Sequence, residues 1–370
     1  MLFPQALLTS LAGLLLLFCG GEAFVSGASQ MARRLGIPAV VIGLTVVSLG
    51  TSAPELAVAL MGIERQDTAL VLGNVLGSNL FNLLVVLGSC ALVVPLRVSR
   101  RLVRRDLPVL LITTLAVWGM AAAGRLLWPA GLALLVGLTI NLVWELVSAI
   151  EQRQLERRSD GDSDPKSGGG LLPALGLQGL GIGLLVLGSD LLLRGALSAA
   201  RLLEVDQAVI GLTLVAAGTS LPELVTSLVA AYRGRADLAI GNAVGSSLFN
   251  LLLILGMGVL FSGSSGIAVP AVLLQRDLPV LVVVTLICLP LLWSYATITA
   301  TDGALLLLIY GVYLVEQVVL AKLPTAIGTF RLAVLVGAGP VLAFLGWSVV
   351  SWWRVRDRGD GPTSSLTSSS

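Results

Sequence analysis

The chain has 370 residues, 56% of them apolar and 12% charged, with a mean hydropathy of +0.96 and a formal net charge of +2. Water-soluble domains carry about 25% charged residues, so the composition excludes a soluble globular class and asks for a bilayer as solvent. With no histidine, and three cysteines that lack paired spacing, histidine metal sites, thiolate metal motifs and a disulfide framework are excluded as well.

A membrane span takes about 20 apolar residues. Eleven stretches qualify, at 5–27, 36–62, 69–94, 106–123, 126–149, 171–195, 206–231, 238–261, 278–295, 302–321 and 330–351. The first lacks the positive n-region of a signal peptide and has a counterpart later in the chain, so it reads as a retained span. The second carries GTSAPEL at 50–56, which sets two hydroxyls, a proline and a carboxylate inside an apolar run. The third carries GNVLGSNLFN from residue 73. The fourth opens at RRDLPVL, where Asp106 suits a helix N-terminus. After the fifth comes EQRQLERRSDGDSDPKSGGG, 151–170, rich in Gly, Ser and Asp and expected as a cytoplasmic linker. Then the pattern begins again.

VIGLTVVSLGTSAPELAVAL at 41–60 aligns without a gap to VIGLTLVAAGTSLPELVTSL at 209–228, with 13 of 20 positions identical. GNVLGSNLFNLLVVLG at 73–88 aligns to GNAVGSSLFNLLLILG at 241–256. The offset is 168 residues throughout, from Thr51 to Thr219 and from Ser78 to Ser246; RDLP returns at Asp277 after a three-residue shift. An internal repeat of this kind defines the architecture. The expected fold is an all-α polytopic membrane protein built from two five-helix repeats, 1–150 and 171–321, joined by the linker 151–170. One extra transmembrane helix, 330–351, and a disordered cytoplasmic tail, 354–370, complete the division.

Five spans per half would turn the second half upside down, and the basic residues agree. With the N-terminus outside, 16 of the 23 Lys and Arg residues fall in cytoplasmic segments, among them Arg33, Arg34, the run from Arg97 to Arg105, Arg233 and Arg235. The halves therefore read as inverted, in an inner cell membrane, with the N-terminus outside and the C-terminus cytoplasmic.

A charge at the bilayer centre costs about 2.5–3.5 kcal/mol on insertion scales, and no basic residue lies in the repeated spans beside Glu55 and Glu223. A protonated glutamate in a helix interface explains one such residue. Two at equivalent positions, each behind Thr-Ser-x-Pro, are better explained by a shared cation. Pro54 and Pro222 have no N–H, so each frees a carbonyl four residues back, at Gly50 and Gly218, and kinks the chain. Thr51 and Glu55 are four apart and share a helical face, as do Ser78 with Asn82 and Ser246 with Asn250. These are hard oxygen donors, the set that Ca²⁺ takes in about 6–8-fold coordination; the absence of soft ligands argues against copper or zinc. Two carboxylates neutralise one divalent ion or hold Na⁺ in its place. The paired Gly73/Gly77 and Gly241/Gly245 are read as close helix packing. Asn74 and Asn242 are left between packing, outer-shell and ligand roles. Outside the site, Glu22 and Asp190 are expected to pair locally with helix ends, and Glu145 and Glu316 to be interfacial or structural.

At these motifs the chain resembles the cation/calcium antiporter superfamily, specifically its prokaryotic sodium/calcium exchanger branch, over residues 1 to about 320. GTSAPE with GNVLGSNLFN, and GTSLPE with GNAVGSSLFN, correspond to that family's two α-repeats. The resemblance implies a ten-helix core with ligands at Thr51, Ser52, Glu55, Ser78 and Asn82 in one half. In the other it implies Thr219, Ser220, Glu223, Ser246 and Asn250, with the carbonyls of Ser48 and Ala216 assisting Na⁺. It further implies alternating access, with the long spans 1 and 6 sliding across the core, and Na⁺ moving against Ca²⁺. Asn250, where some relatives carry aspartate, favours a K⁺-independent exchanger. A H⁺/Ca²⁺ exchanger using the same two glutamates stays open as the alternative, and a passive divalent channel is disfavoured by the inverted repeat. The expected partners are the lipid bilayer and the transported ions Ca²⁺ and Na⁺, with no resident cofactor, no nucleic acid and no enzymatic constellation; oligomeric state is left open.

Overall fold

The computed structural model describes residues 3–99, 101–160, 171–202, 216–294, 297–334 and 336. It is almost wholly helical: α1 (Phe3–Leu35), α2 (Ala39–Thr51), α3 (Ala53–Glu64), α4 (Thr68–Val93) and α5 (102–121) lead to α6 (Trp128–Asp160). Then follow α7 (Leu171–Leu202), α8 (Leu221–Tyr232), α9 (Ala236–Phe261), α10 (273–294) and α11 (Ala300–Lys322). Among the described residues six helices are long and apolar enough to cross a membrane, and seven if α2 and α3, bent by 45°, form one span. The chain is a polytopic membrane protein.

The remaining expected spans fall into two groups. The fourth and ninth appear in α5 and α10, whose α-helical parts run over 15 and 17 residues after a π-helical turn. The seventh is described only from residue 216, and nearly all of the eleventh, like the tail, lies outside the described residues. The expected linker is helical in its first half, because α6 runs on to Asp160. EQRQLERR is made of good helix formers, and the first glycine comes only at 161.

Helix boundaries repeat as the sequence does. Each of α3 and α8 starts and ends 168 residues apart, and so do α4 and α9. Two short antiparallel strand pairs show the same reciprocity: β1 (Leu96–Arg97) pairs with β4 (Thr297–Ile298), and β2 (Arg125–Leu126) with β3 (Ile267–Ala268). Each pairing joins loops that the span order puts on one face of the membrane. Arg235 also sits near Arg33, and desolvation together with the like charges of Arg33 and Arg233 lowers its pKa. Basic residues of both halves thus share one face.

Burial sorts the helices into centre and rim. In their most apolar stretches α4 and α9 are 72% and 78% buried, against 17% for both α6 and α11. The rim helices expose residues such as Ile140, Val143 and Leu308 to hydrocarbon. α1 and α7 lie against each other along their lengths, and glycines at seven-residue spacing make this possible: Gly13, Gly20 and Gly27 facing Gly181, Gly188 and Gly195. A Cβ on Gly188 would sit 2.7 Å from the Leu17 nitrogen, so the two backbones touch. Gly88 against Gly303, and Gly131 against Gly256, seat α11 on α4 and α6 on α9 in the same manner.

RDLP does not start a helix in either half. α5 and α10 begin earlier, and the chain passes Asp106 and Asp277 as a π turn just ahead of the proline. Neither aspartate side chain of this pair acts as the expected N-terminal group. Asp277 instead takes both arms of Arg276, at 3.0 and 2.8 Å, and the Tyr313 hydroxyl at 2.9 Å. Near Asp106, Arg105 turns to Glu145 of α6 at 2.7 Å, where Arg101 joins it at 2.5 Å. Glu145, expected from sequence as interfacial or structural, is 2% exposed and anchors α6 to the start of α5.

Candidate ion site

The helix breaks at Ser52, whose φ and ψ of −79° and 10° leave the α region, and restarts at Ala53. Ser220, at −93° and 10°, does the same before Leu221. Pro54 and Pro222 therefore sit in the first turn of a new helix, where a missing N–H costs nothing, and not inside a kinked one. This placement makes Ser52 and Ser220 the N-caps and puts Glu55 and Glu223 at the third helical position. Ser-x-x-Glu at that point is the sequence of a capping box.

Neither serine caps its own helix. Ser220 Oγ donates to Glu55 Oε1 at 2.8 Å, and Ser52 Oγ donates to Glu223 Oε1 at 3.1 Å. The two boxes are exchanged between the halves, and this brings both carboxylates to one place. All four residues are buried, with Glu55, Glu223 and Ser220 at 0% exposure. Ser78 adds a 3.5 Å contact to the same Glu55 oxygen, and the Thr51 and Ser246 hydroxyls meet at 3.4 Å.

Seven of the ten expected site residues are therefore joined by hydrogen bonds: Thr51, Ser52, Glu55, Ser78, Ser220, Glu223 and Ser246. The other three make none among the described residues. Both amide atoms of Asn82 and of Asn250 are buried without a partner, as is the Thr219 hydroxyl, and Oε2 of both glutamates shares that condition. Buried polar atoms are almost always satisfied, so these orphans leave an unmet demand at the expected site. Asn82 and Asn250 each open a π-helical stretch, Phe81–Val86 and Asn250–Ile254, a widened turn frequent at functional positions. Donors here are carboxylate, hydroxyl and amide oxygens, and among the described residues no group of three His, Cys, Asp or Glu assembles.

The backbone carbonyls fare unequally. The Gly218 carbonyl accepts the Ser189 hydroxyl at 2.5 Å, so it is not spare as the sequence suggested. The equivalent of Ser189 in the first half is Gly21, which brings no hydroxyl to Gly50. The Ser48 carbonyl accepts Ser52 N–H at 3.0 Å. Sequence reasoning also missed Ser48 Oγ, which donates to the Asn242 carbonyl at 3.0 Å and the Gly43 carbonyl at 2.6 Å. Asn242 itself donates to the Glu223 carbonyl at 3.3 Å and to Ser227 Oγ at 2.9 Å, while Asn74 donates to the Glu55 carbonyl at 3.0 Å. The outer-shell alternative for these asparagines is the one their hydrogen bonds fit. Glu22 pairs with Arg233 at the end of α8, and Asp190 pairs with Arg194 on its own helix.

A family model described as sodium/calcium exchanger protein matches residues 5–147 and 173–319. The chain belongs to the sodium/calcium exchanger family. Both matched blocks contain one Thr-Ser-x-Pro-Glu motif, and the gap between them falls at the end of α6. Among curated relatives of this exchanger, the putative antiporter CaxA of Alkalimonas amylolytica is 35% identical over 308 residues, covering 81% of this chain and 94% of the relative. The sodium/calcium exchanger MaX1 of Methanosarcina acetivorans is 31% identical over 339 residues, or 82% and 96% of the two chains. The inner membrane protein YrbG of Escherichia coli is 34% identical over 302 residues, or 79% and 90%. A solved structure of the sodium-calcium exchanger NCX_Mj superposes with a TM-score of 0.71 at 30% identity, covering 84% of this chain and 98% of that one.

Proposed function

We propose that this exchanger is a Na⁺-driven Ca²⁺ antiporter of the inner cell membrane, working by alternating access between two inverted five-span halves. In this reading residues 1–150 and 171–321 are the halves, and 151–170 connects them in the cytoplasm. Glu55 and Glu223 are the shared ligands, with Thr51, Ser52, Ser78, Asn82, Thr219, Ser220, Ser246 and Asn250 completing the oxygen donors. The observation that carries it is the reciprocal Ser220–Glu55 and Ser52–Glu223 pair with the second oxygen of each carboxylate buried and unpartnered.

The chemistry follows from the donor set. Two carboxylates balance a Ca²⁺ ion, and neutral hydroxyl and amide oxygens supply the remainder of its coordination. The same negative charges, once the divalent ion leaves, are compensated by Na⁺, so one set of ligands serves both ions in turn. Relatives whose names specify Na⁺ and Ca²⁺, MaX1 and NCX_Mj, support these ions over other pairs.

The test is ⁴⁵Ca²⁺ uptake into proteoliposomes under an outward Na⁺ gradient or an outward H⁺ gradient, imposed separately. Uptake against a Ca²⁺ gradient with Na⁺ alone is the expected result. Uptake with H⁺ alone selects the proton-coupled alternative, and flux only downhill contradicts antiport.

A further inference from the structure

We infer that Asn242 and Asn74 are reciprocal gate residues. Each closes one side of the ion site by accepting a hydrogen bond from a threonine of the opposite half, Thr51 for Asn242 and Thr219 for Asn74, and only one of the two bonds is made at a time. This deepens the antiport reading and rests on it.

One contact is present twice in the sequence and made once in the structure. Thr51 Oγ1 donates to Asn242 Oδ1 at 3.2 Å. Ser48, one turn earlier, donates to the carbonyl of the same asparagine at 3.0 Å, and Asn242 is completely buried. Around this contact the first half of α2 and the first half of α9 meet backbone to backbone. A Cβ on Gly43 would lie 2.9 Å from the Leu238 carbonyl oxygen, and one on Gly241 would lie 2.8 Å from that of Val40. The two backbones leave no room for a side chain between them.

The duplicated contact has the same parts in a different arrangement. Asn74 keeps its hydrogen bond to the Glu55 carbonyl at 3.0 Å, as Asn242 keeps its bond to Glu223, so the asparagines hold the same station within each half. Thr219 Oγ1, however, is buried and has no partner among the described residues, and Asn74 is half-buried where Asn242 is sealed. In this conformation the Thr219 hydroxyl is left to the ion, and in the opposite one it turns to a side chain. The partner that the repeat supplies for it is Asn74.

A second difference follows the same sides. On the arginine-bearing face, Arg233 reaches across to Glu22 and, at 3.1 Å, to the Ser26 hydroxyl, tying α8 to α1. At the duplicated positions, Asp190 turns to Arg194 on its own helix at 2.9 Å, and among the described residues α7 has no such tie. The face that carries the closed Thr51–Asn242 bond is the face that is strapped. Because the two contacts are exchanged by the repeat, the opposite conformation makes Thr219–Asn74 and breaks Thr51–Asn242.

Hydrogen–deuterium exchange of the full chain in lipid nanodiscs, in choline buffer free of Na⁺ and Ca²⁺, tests this. Asn242→Ala should raise exchange in peptides over 39–51 and 236–249 by about three- to ten-fold, the effect of losing one or two buried hydrogen bonds on an opening equilibrium, and lower it over 68–80. Asn74→Ala should shift both in the opposite sense. Thr51→Val, which removes only the hydroxyl, should repeat the Asn242→Ala sign, and Thr219→Val that of Asn74→Ala, which guards against a variant that fails to fold. Shifts of the same sign in the two asparagine variants, or none, overturn the gate. The readout needs no transported ion, so a failure of Na⁺-driven Ca²⁺ uptake with opposite exchange shifts removes the ion assignment and leaves the gate standing.

Discussion

Ser220→Ala separates the exchanged capping box from an ordinary one. In an ordinary box the serine hydroxyl caps its own helix, and its loss costs about 1 kcal/mol of stability without touching the ion. Here the hydroxyl donates 2.8 Å to Glu55 Oε1 in a fully buried setting. A hydrogen bond to a charged group is worth about 1.5–3 kcal/mol, so its removal should weaken Ca²⁺ binding by roughly ten- to 150-fold. Equilibrium ⁴⁵Ca²⁺ binding to the purified protein measures this, with the thermal midpoint recorded alongside. Ser52→Ala, whose contact is longer at 3.1 Å, should lose less. The cycle with Glu55→Gln then isolates the route: if Ser220 acts through Glu55, the two losses fall well short of additive. A lowered midpoint with unchanged affinity, or strict additivity, refutes the exchange.

Other consequences are equally direct. Glu55→Gln and Glu223→Gln should each abolish coupled ⁴⁵Ca²⁺ flux at normal expression, since each removes half of the charge that balances a divalent ion. Gly188→Ala should cut flux several-fold, because its methyl would stand 2.7 Å from the Leu17 nitrogen and 2.8 Å from the Gly13 carbonyl oxygen; Gly176→Ala on the same helix meets no described neighbour and should change stability by less than about 0.5 kcal/mol. Glu145→Leu strands Arg101 and Arg105 and should destabilise by about 3–5 kcal/mol, read as a lower thermal midpoint. By contrast, Gln317→Leu on α11 loses a 3.4 Å contact to Asp277 and should cost less than about 1 kcal/mol.

Much of the architecture was legible because membrane spans and duplicated motifs leave strong marks in a sequence. Glu55 and Glu223 stand out since carboxylates are rare at that depth; Thr51, Ser78, Asn82, Ser246 and Asn250 follow from four-residue spacing, whereas Ser52, Ser220 and Thr219 are implied only by the family resemblance. What was not legible depends on contacts between distant segments. Ser-x-x-Glu looks the same whether a serine caps its own helix or reaches the other half, so the exchange between Ser52 and Ser220 was invisible. Pro54 reads as a kink within a helix, because nothing in GTSAPEL marks Ser52 as a helix end. RDLP resembles a helix start, yet in α5 and α10 the helix is already under way, since a π turn absorbs the proline's missing donor. Ser48, Ser189 and Ser227 have Ala216, Gly21 and Ala59 as repeat counterparts. A search for duplicated polar residues passes over them, and it is these unmatched hydroxyls that make the two sides of the site unequal.

One ion held jointly by a carboxylate from each half is the claim on which the rest stands. Anomalous diffraction from crystals soaked in Sr²⁺, a heavier stand-in for Ca²⁺, locates that ion without reference to transport. A single strong peak contacted by oxygens of both Glu55 and Glu223 is expected. A peak bound by one glutamate alone, or lying away from both, contradicts it.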